Sequence, residues 1–435
     1  YDHQLEVHTP MSGRWVLRRK VLLAVATAVG LLAPLAGALV APAQAATVSC
    51  PSANLQTEID AAPPGSTISV SGTCTGQFVI NKSLRLVGLP ATLDGANGGT
   101  VVSVGSGANV RFDGLTIQHG RGFQGGVLNQ GTLALYNTTV RENTAVSTLP
   151  LVQGNPLDCV ADCTADGGIN TIHNAGGGIF NSGNLSLNAS TVTQNSASGS
   201  YSVTQFNSLT CSATCTVTQR NLAIGSAGGG IFNIGGQVAL NHSTVSGNSA
   251  VFSGDVTQTN SANCTGACTV TQSNVLIVGA GGGIFNHQGS LAVIASTVSG
   301  NSSSATVPSS VQNNTGNCGC SQTDEISIGG GAGIFNDGRA AISSSTLANN
   351  TGDVGGGIFN ASGATAAVQR NSMIVDNSAL GSGGGVANSG TFSLQASTVS
   401  RNTAGFVGGG VVNDGTFTQA ASTISGNTPD DCFGC

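Results

Sequence analysis

The chain has 435 residues, a formal net charge of −6 at pH 7 and only 7% charged side chains, whereas 65 residues are glycine. So few lysines and arginines exclude a protein that binds nucleic acid through its phosphates. Abundant glycine, serine and threonine are also typical of disordered linkers, but the repeats described below contradict that interpretation.

The N-terminal segment is predicted to be a secretory signal peptide. A basic cluster at residues 14–20 precedes an uncharged run over residues 21–40 and the small-x-small site Ala43-Gln44-Ala45. This order is typical of a signal peptide cleaved after Ala45, although an uncharged run of this length could also be a retained anchor. We expect residues 1–45 to be removed and residues 1–10 to precede the true start. The mature protein would then be secreted or held at the cell surface, without a transmembrane segment.

Residues 46–65 are predicted to cap the fold. Leu55 and Ile59 share one face of a short amphipathic helix over residues 53–62, and Pro63-Pro64-Gly65 would end that helix. A cap is expected here because the open edges of stacked strands promote aggregation.

A repeat dominates residues 66–428. The sequence Gly-Gly-Gly-Ile-Phe-Asn at 176–181 recurs in close variants, each followed by an alternating run and by Ser-Thr-Val-Ser-Gly-Asn or a near copy. Copies lie about 25 residues apart, or about 50 where an insertion intervenes. Three short strands per 25 residues, without a helical pattern between them, predict coils that stack at about 4.8 Å. We therefore predict an all-β parallel β-helix, a solenoid of about ten coils, whose Ile, Leu and Val columns point inward.

Two columns of asparagine accompany the repeat. An asparagine at a bend tolerates left-handed backbone geometry, and its amide can bond to the asparagine one coil away, so structural ladders are predicted rather than catalytic groups. The first column is Asn129, Asn181, Asn233, Asn286, Asn336, Asn360, Asn388 and Asn413, and the second is Asn143, Asn195, Asn248, Asn301, Asn350, Asn377, Asn402 and Asn427.

All twelve cysteines follow the predicted signal peptide and fall into close pairs. Zinc half-sites are the alternative, but an exported chain favours disulfides and no histidine accompanies the pairs at ligand spacing. We predict local disulfides, no metal and no cofactor, with a cysteine tail at residues 429–435. The pairs are Cys50/Cys74, Cys159/Cys163, Cys211/Cys215, Cys264/Cys268, Cys318/Cys320 and Cys432/Cys435.

Four insertions interrupt the repeat at one position, directly after the second asparagine column. The middle two contain a strand, a cysteine pair and a second strand, which predicts β-hairpins stacked into a sheet on one side of the helix. The phenylalanines that open the next coil, such as Phe232 and Phe285, would face outward and need this cover. The insertions span residues 145–175, 197–227, 250–280 and 303–330.

The acidic residues do not predict a catalytic centre. Asp376 and Arg401 occupy the same repeat position on consecutive coils and are the strongest catalytic candidates. A cross-coil ion pair explains them without chemistry, and the histidines form no column that could bind a metal. A polysaccharide lyase or glycoside hydrolase near Asp376 and Arg401 remains the alternative hypothesis.

The combination of the Gly-rich approach to Ile-Phe-Asn, the alternating strand and Ser-Thr-Val-Ser-Gly-Asn resembles bacterial right-handed parallel β-helix repeat proteins. It is also similar to the repeats of polymorphic outer membrane proteins, which are surface adhesins. The resemblance covers about residues 66–428 and implies a right-handed helix. It also implies a structural or adhesive protein, expected to be a monomer, that binds a glycan or a surface protein. We expect the stacked insertions to bind this partner, because loops on a rigid scaffold commonly carry recognition.

Overall fold

The computed structural model describes residues 46–435 except 149, 161–162, 279–280, 318–319 and 329. The predicted signal peptide, residues 1–45, lies outside this part. Among the described residues, no helix is both long enough and apolar enough to cross a membrane.

The predicted cap helix is confirmed. Helix α1 (Leu55–Ala61) begins after Asn54, whose side chain accepts a hydrogen bond from the Thr57 N–H at 3.2 Å, as N-cap residues do. Leu55 and Ile59 are buried and pack against the first coils. A disulfide between Cys50 and Cys74 ties the chain before the helix to the second strand.

Short strands separated by bends make up most of the described chain. The N-terminal coils contain β1 (Ala46–Ser49), β2 (Thr67–Thr75), β3 (Phe78–Ile80), β4 (Leu84–Asp94), β5 (Val102–Val104), β6 (Asn109–Gln118), β7 (Arg121–Gly122), β8 (Val127–Asn129), β9 (Thr132–Tyr136), β10 (Thr139–Arg141) and β11 (Thr144–Ser147). The coils with insertions contain β12 (Leu151–Cys159), β13 (Cys163–Ala175), β14 (Ile179–Asn181), β15 (Asn184–Asn188), β16 (Thr191–Thr193), β17 (Ser196–Ser200), β18 (Val203–Cys211), β19 (Cys215–Ala227), β20 (Ile231–Ile234), β21 (Gln237–Asn241), β22 (Thr244–Ser246), β23 (Ser249–Ser253), β24 (Val256–Cys264), β25 (Cys268–Val278), β26 (Ile284–Ile294), β27 (Thr297–Ser299), β28 (Ser302–Thr306), β29 (Ser310–Gly316) and β30 (Cys320–Ile328). The C-terminal coils contain β31 (Ile334–Ser343), β32 (Thr346–Ala348), β33 (Thr351–Gly352), β34 (Ile358–Asn360), β35 (Thr365–Gln369), β36 (Met373–Val375), β37 (Ser378–Ala379), β38 (Val386–Asn388), β39 (Thr391–Gln395), β40 (Thr398–Ser400), β41 (Thr403–Ala404), β42 (Val411–Asn413), β43 (Thr416–Ala420), β44 (Thr423–Ser425) and β45 (Cys432–Phe433).

The strands stack as a parallel β-helix, as the repeat predicts. A 29-stranded sheet and an 8-stranded sheet form the coils, and the strand pairs within them are parallel and join one coil to the next. The register aligns equal repeat positions, so that Ile179 lies beside Ile231 and Val192 beside Val245. Identical or similar side chains therefore meet from one coil to the next.

The predicted inner columns are the core. Ile179, Ile231 and Ile284 are completely buried, and so are Val192 and Val245 in the facing column. Full burial of such a side chain stabilises the fold by about 1.5–3 kcal/mol. The interior of the helix is thus a continuous apolar column that each coil extends.

The four insertions form a lateral structure that we call the arm. Their first strands make one parallel sheet, β12-β18-β24-β29, and their second strands make another, β13-β19-β25-β30. Among the described residues, no strand pairing joins the two strands of one insertion, so the prediction of hairpins is wrong and each insertion is an arch. Stacked coils offer every strand an equivalent strand about 4.8 Å away in perfect register. The backbone hydrogen bonds are therefore used between coils, and the two strands of an arch pack through side chains.

The arm covers the outward phenylalanines, as predicted. Phe232 stacks on Phe285 with ring centroids 5.0 Å apart, and Phe285 stacks on Phe335 at 4.6 Å. Ile224 and Ile277, from the second strands of two arches, pack against these rings. The phenylalanine column thus joins the arm to the helix by apolar contact.

The disulfide predictions are confirmed only in part. Cys50–Cys74 and Cys432–Cys435 are formed, and Cys159 and Cys264 are also disulfide-bonded. Cys215, Cys268 and Cys320 are thiols, so the predicted pairs Cys211/Cys215, Cys264/Cys268 and Cys318/Cys320 are wrong. Stacking places Cys211 beside Cys264 and Cys215 beside Cys268, so each of these cysteines has a neighbouring cysteine on the next arch as well as one in its own turn. The pair Cys159/Cys163 stays a prediction, since the Cys163 side chain lies outside the described part.

Candidate functional site

Both predicted asparagine columns form ladders inside the helix. In the first, Asn181 Nδ2 donates to Asn233 Oδ1 at 2.7 Å, and Asn233 Nδ2 donates to Asn286 Oδ1 at 2.8 Å. In the second, Asn248 Nδ2 donates to Asn301 Oδ1 at 3.0 Å and to the backbone carbonyl of Val192, one coil before it. These amides are buried and bonded to protein, which fits a structural role at the bends rather than contact with a substrate.

Several charged or ionisable side chains occupy one bend, the position just before the second asparagine ladder, which we call the corner column. His119, Glu142, Asp376 and Arg401 all occupy it with positive φ values of 54–57°. A left-handed residue at a bend points its side chain away from the coil. Charges placed here meet their neighbours from adjacent coils in solvent.

The predicted catalytic candidates form an ion pair in the corner column. Arg401 Nε and Nη2 each donate to a carboxylate oxygen of Asp376 at 2.8 Å, and the two side chains are 63% and 39% exposed. The hydrogen bonds and charge of Arg401 lower the pKa of Asp376. At neutral pH Asp376 is therefore an ionised, paired group, which suits neither a general acid nor a two-carboxylate glycosidase centre.

A second charge cluster in the corner column was missed by the sequence reasoning. His119 Nδ1 lies 2.9 Å from Asp94 Oδ2, and His119 Nε2 lies 3.2 Å from Glu142 Oε2. Burial opposes ionisation of Asp94, but hydrogen bonds from Gln118, from the backbone of Ala96 and from His119 lower its pKa. Both imidazole nitrogens face carboxylates, which leaves His119 no free nitrogen to act on a substrate. The first coils lack the Ile-Phe-Asn motif, so their register with later coils could not be read from the sequence.

An open groove of about 610 Å³ runs along the outside of the helix. Its floor is a column of small outward residues on successive strands, namely Ser186, Ala239, Ala292 and Ala341. Its polar rim consists of Thr132, Asn184, Gln237, Ser290, Arg339 and Thr365. Six coils at about 4.8 Å each give it a length of roughly 24 Å. The sequence signal for it was a small residue in the middle of each alternating run.

The groove has the chemistry of a binding surface rather than a catalytic one. No aspartate or glutamate is among the described residues that line it, and Arg339 is the one charged side chain among them. The rim supplies amides and hydroxyls, which donate and accept hydrogen bonds, above an apolar floor. Ligand sites commonly combine a largely apolar surface with a few convergent polar groups.

The outer face of the arm is a second surface that can bind a ligand. Thr204 and Ser208 project from β18, and Thr257 and Ser261 occupy the equivalent positions on the neighbouring strand β24. The ring of Phe206 lies over Gly154, where any side chain would collide with it. The result is a flat, hydroxyl-rich face with one partly exposed aromatic ring.

The interior of the arm contains amide ladders between two buried apolar clusters. Gln258 Nε2 donates to Gln205 Oε1 at 2.9 Å, and Gln312 Nε2 donates to Gln258 Oε1 at 2.9 Å. A second ladder ends at Asp324, whose Oδ1 accepts hydrogen bonds from Asn260 and Asn274 at 2.9 Å each. Burial raises the pKa of Asp324. Asp324 therefore places a carboxyl group at the end of a column of carboxamides.

Comparison of the chain with protein-family models, curated proteins and solved structures found no match. Function is therefore inferred from the groove, the arm and the charge clusters alone.

Proposed function

We propose that this chain is a non-catalytic binding protein of adhesive or structural type, exported to the outside of the cell, which binds an extended glycan in the groove. The groove itself, with its small-residue floor and neutral polar rim, is the observation that carries the proposal. Arg339 lies within the rim, so a glycan with carboxylated sugars would gain a charge-assisted hydrogen bond there.

The stacked scaffold supports this proposal. Rim side chains recur once per coil at about 4.8 Å, which suits a polymer that also repeats along its length. The rim residues stand on strands packed against the apolar core, so they lose little further freedom on binding. A rigid, repetitive surface of this kind favours an extended chain over a compact small molecule.

A polysaccharide-active enzyme is the weaker hypothesis. Asp376 is held by Arg401, and His119 is held between two carboxylates. Neither cluster lies among the residues that line the groove. Hydrolysis or elimination requires an acid or base within reach of the bound substrate.

The arm is the second candidate surface, and Phe206 is the observation that favours it. Aromatic rings give binding surfaces a large rigid contact area at low entropic cost. Thr204 and Ser208 flank this ring on the same strand and supply hydroxyls.

Binding of purified protein to oligosaccharides, neutral and carboxylated, tests the proposal by calorimetry. Ala292→Trp would fill the groove, so affinity should fall at least tenfold, which corresponds to about 1.4 kcal/mol. Ser393→Trp is the matched control, because Ser393 occupies the equivalent outward position on β39 and is not part of the groove lining. Arg339→Ala should weaken binding of the carboxylated ligand only.

Three results would count against binding in the groove. Unchanged affinity in Ala292→Trp, together with loss of binding in Phe206→Ala, would move the site to the arm. Release of shortened oligosaccharides by the wild-type protein would favour the enzyme hypothesis. Absence of binding to any glycan by the folded protein would refute the proposed ligand class.

A further inference from the structure

Three thiol groups converge at the tip of the arm. The Sγ atoms of Cys211, Cys215 and Cys268 all lie within 4.8 Å of one another. Cys211 and Cys215 are buried at the turn of the second arch, and Cys268 is half-buried at the turn of the third. In-register stacking of β19 on β25 places Cys215 beside Cys268.

A backbone oxygen completes the cluster. The Ala213 carbonyl accepts hydrogen bonds from Cys211 Sγ at 3.4 Å and from Cys268 Sγ at 3.3 Å. Gly266, in the turn of the third arch, permits this arrangement, because a Cβ there would collide with the Ala213 oxygen. Three sulfur atoms thus lie close together, and two of them also lie beside one carbonyl oxygen.

These distances are close to those of a tetrahedral metal site. With Zn–S bonds of about 2.3 Å and a Zn–O bond of about 2.1 Å, sulfur atoms would be roughly 3.8 Å apart and the oxygen roughly 3.6 Å from each sulfur. The observed oxygen–sulfur distances of 3.3 and 3.4 Å are already similar. The sulfur atoms, at most 4.8 Å apart, would need to approach by about 1 Å or less.

We propose that Cys211, Cys215 and Cys268, with the Ala213 carbonyl, bind a thiophilic divalent metal ion of the zinc class. Thiolate donors select soft or borderline ions over magnesium or calcium. Charge favours a divalent ion, because three thiolates and Zn²⁺ leave one net negative charge in a buried site, whereas a monovalent ion would leave two. No catalytic step is assigned to this ion.

The proposed ion would crosslink successive arches. Cys211 and Cys215 belong to one arch and Cys268 to the next, so the metal would join two layers that are otherwise held here by strand pairing and side-chain contacts. Cys215 and Cys268 are thiols in this structure, and a metal ion is bound by thiolates. Metal binding must therefore displace protons, and affinity should rise with pH.

The test uses the full chain and Zn²⁺ in competition with a chromophoric chelator. We expect one Zn²⁺ per chain, and Co²⁺ in its place should give the thiolate charge-transfer band of a tetrahedral site. Loss of a residue that only hydrogen-bonds to a metal ligand typically lowers metal affinity roughly 10–100-fold. Cys215→Ser removes a proposed ligand itself, so its affinity for Zn²⁺ should fall by more than this. Cys320→Ser is the matched control, because Cys320 is a thiol near the tip but not a member of the cluster. Its affinity for Zn²⁺ should equal that of the wild type.

A second measurement does not depend on any variant. In protein purified without reductant, bound Zn²⁺ should protect the three thiols from alkylation until a chelator is added. A disulfide joining Cys215 to Cys211 or Cys268 in that protein would overturn the proposal. Equal Zn²⁺ affinity in Cys215→Ser and wild type would also overturn it.

Discussion

The coils of the helix and the arches of the arm follow the same rule of stacking but enclose different side chains. Strands in both regions pair in parallel with equal positions one coil away. The helix encloses mainly aliphatic columns such as Ile231 and Ile284, with asparagine ladders at its bends, whereas the arm encloses amide ladders such as Gln205 and Gln258 between smaller apolar clusters. In-register stacking brings equivalent side chains together. Isoleucine packs well against a second isoleucine, and a carboxamide, which both donates and accepts hydrogen bonds, bonds equally well to a second carboxamide.

The two interiors should differ in how they stabilise the fold. Burial of aliphatic surface supplies most of the free energy of folding in the helix. A buried hydrogen bond contributes only about 0.5–1.5 kcal/mol net, yet an unsatisfied partner costs about 1–3 kcal/mol. The arm is therefore expected to be less stable than the helix and more sensitive to the loss of a single rung.

The largest loss of stability is expected when an amide side chain, like those inside the arm, replaces an aliphatic side chain inside the helix. Ile284→Gln puts an amide without a ladder into the aliphatic column, so the free energy of unfolding should fall by about 3–5 kcal/mol. Thermal and urea denaturation followed by circular dichroism would measure it. Ile294→Gln is the control, since Ile294 ends the same strand but is 41% exposed. Similar losses in both variants would contradict the proposed difference between interior and surface.

The converse change in the arm should cost less and depend on how many rungs are replaced. Gln258→Leu removes the donor to Gln205 and the acceptor of Gln312, at about 1–3 kcal/mol. Replacement of the whole column, Gln153, Gln205, Gln258 and Gln312, by leucine should cost less per replaced residue than the single change. The side-chain partners disappear together, and only backbone carbonyls that also accept from these amides lose a donor. Hydrogen exchange of the backbone amides in the arm strands would measure both variants. A larger loss of stability per residue in the column variant than in the single variant would show that the ladder itself stabilises the arm.

A smaller, pH-dependent effect is expected at Asp324. Its raised pKa means that the folded arm binds a proton more tightly than the unfolded chain. Its contribution is then most favourable below the unfolded pKa of about 3.9 and is lost as pH rises through the raised value. Asp324→Asn restores a carboxamide to the ladder and should stabilise the arm by about 1 kcal/mol at pH 7. Asp158→Asn, at an exposed position of β12, is the control. Equal melting profiles of Asp324→Asn and wild type between pH 4 and 8 would contradict this.

The smallest effect is expected at the exposed pair of Asp376 and Arg401. The lowered pKa of Asp376 gives stability that is present above the unfolded pKa of about 3.9 and is lost as pH falls further. Exposed pairs contribute little, so Asp376→Asn should leave the melting temperature at pH 7 and glycan binding unchanged. A marked loss of either property would assign this pair a functional role.

Most of the fold could be predicted from the repeat because one residue pattern fixes strand, bend and register together. The columns containing Ile231 and Asn233 were identified in this way, and so was the cover over Phe232. Arches could not be distinguished from hairpins, since both consist of two alternating segments around a turn, and only the pairing partners differ. The same uncertainty affected Cys215, whose nearest thiol partners come from the same turn and from the next coil.

The candidate sites were harder to predict than the fold. The floor of the groove at Ala239 and Ala292 depends on which small residues align across coils. This alignment predicts a groove only once these residues are known to face outward. The contact between His119 and Asp94 joins coils that share no motif. The repeat therefore specifies structure wherever coils are alike, whereas the sites also depend on positions where coils differ.

Each arch leaves the helix and returns to it at the same corner, between the second asparagine ladder and the next Gly-rich strand. A coil with its arch is thus a unit of about 50 residues whose upper and lower faces are nearly alike. A tandem duplication of its coding sequence would insert one layer that fits both neighbours, extending the helix, the groove and the arm by the same step. Unequal recombination between repeats could therefore change the length of the β-helix in steps of about 4.8 Å, without requiring a new core or a new turn.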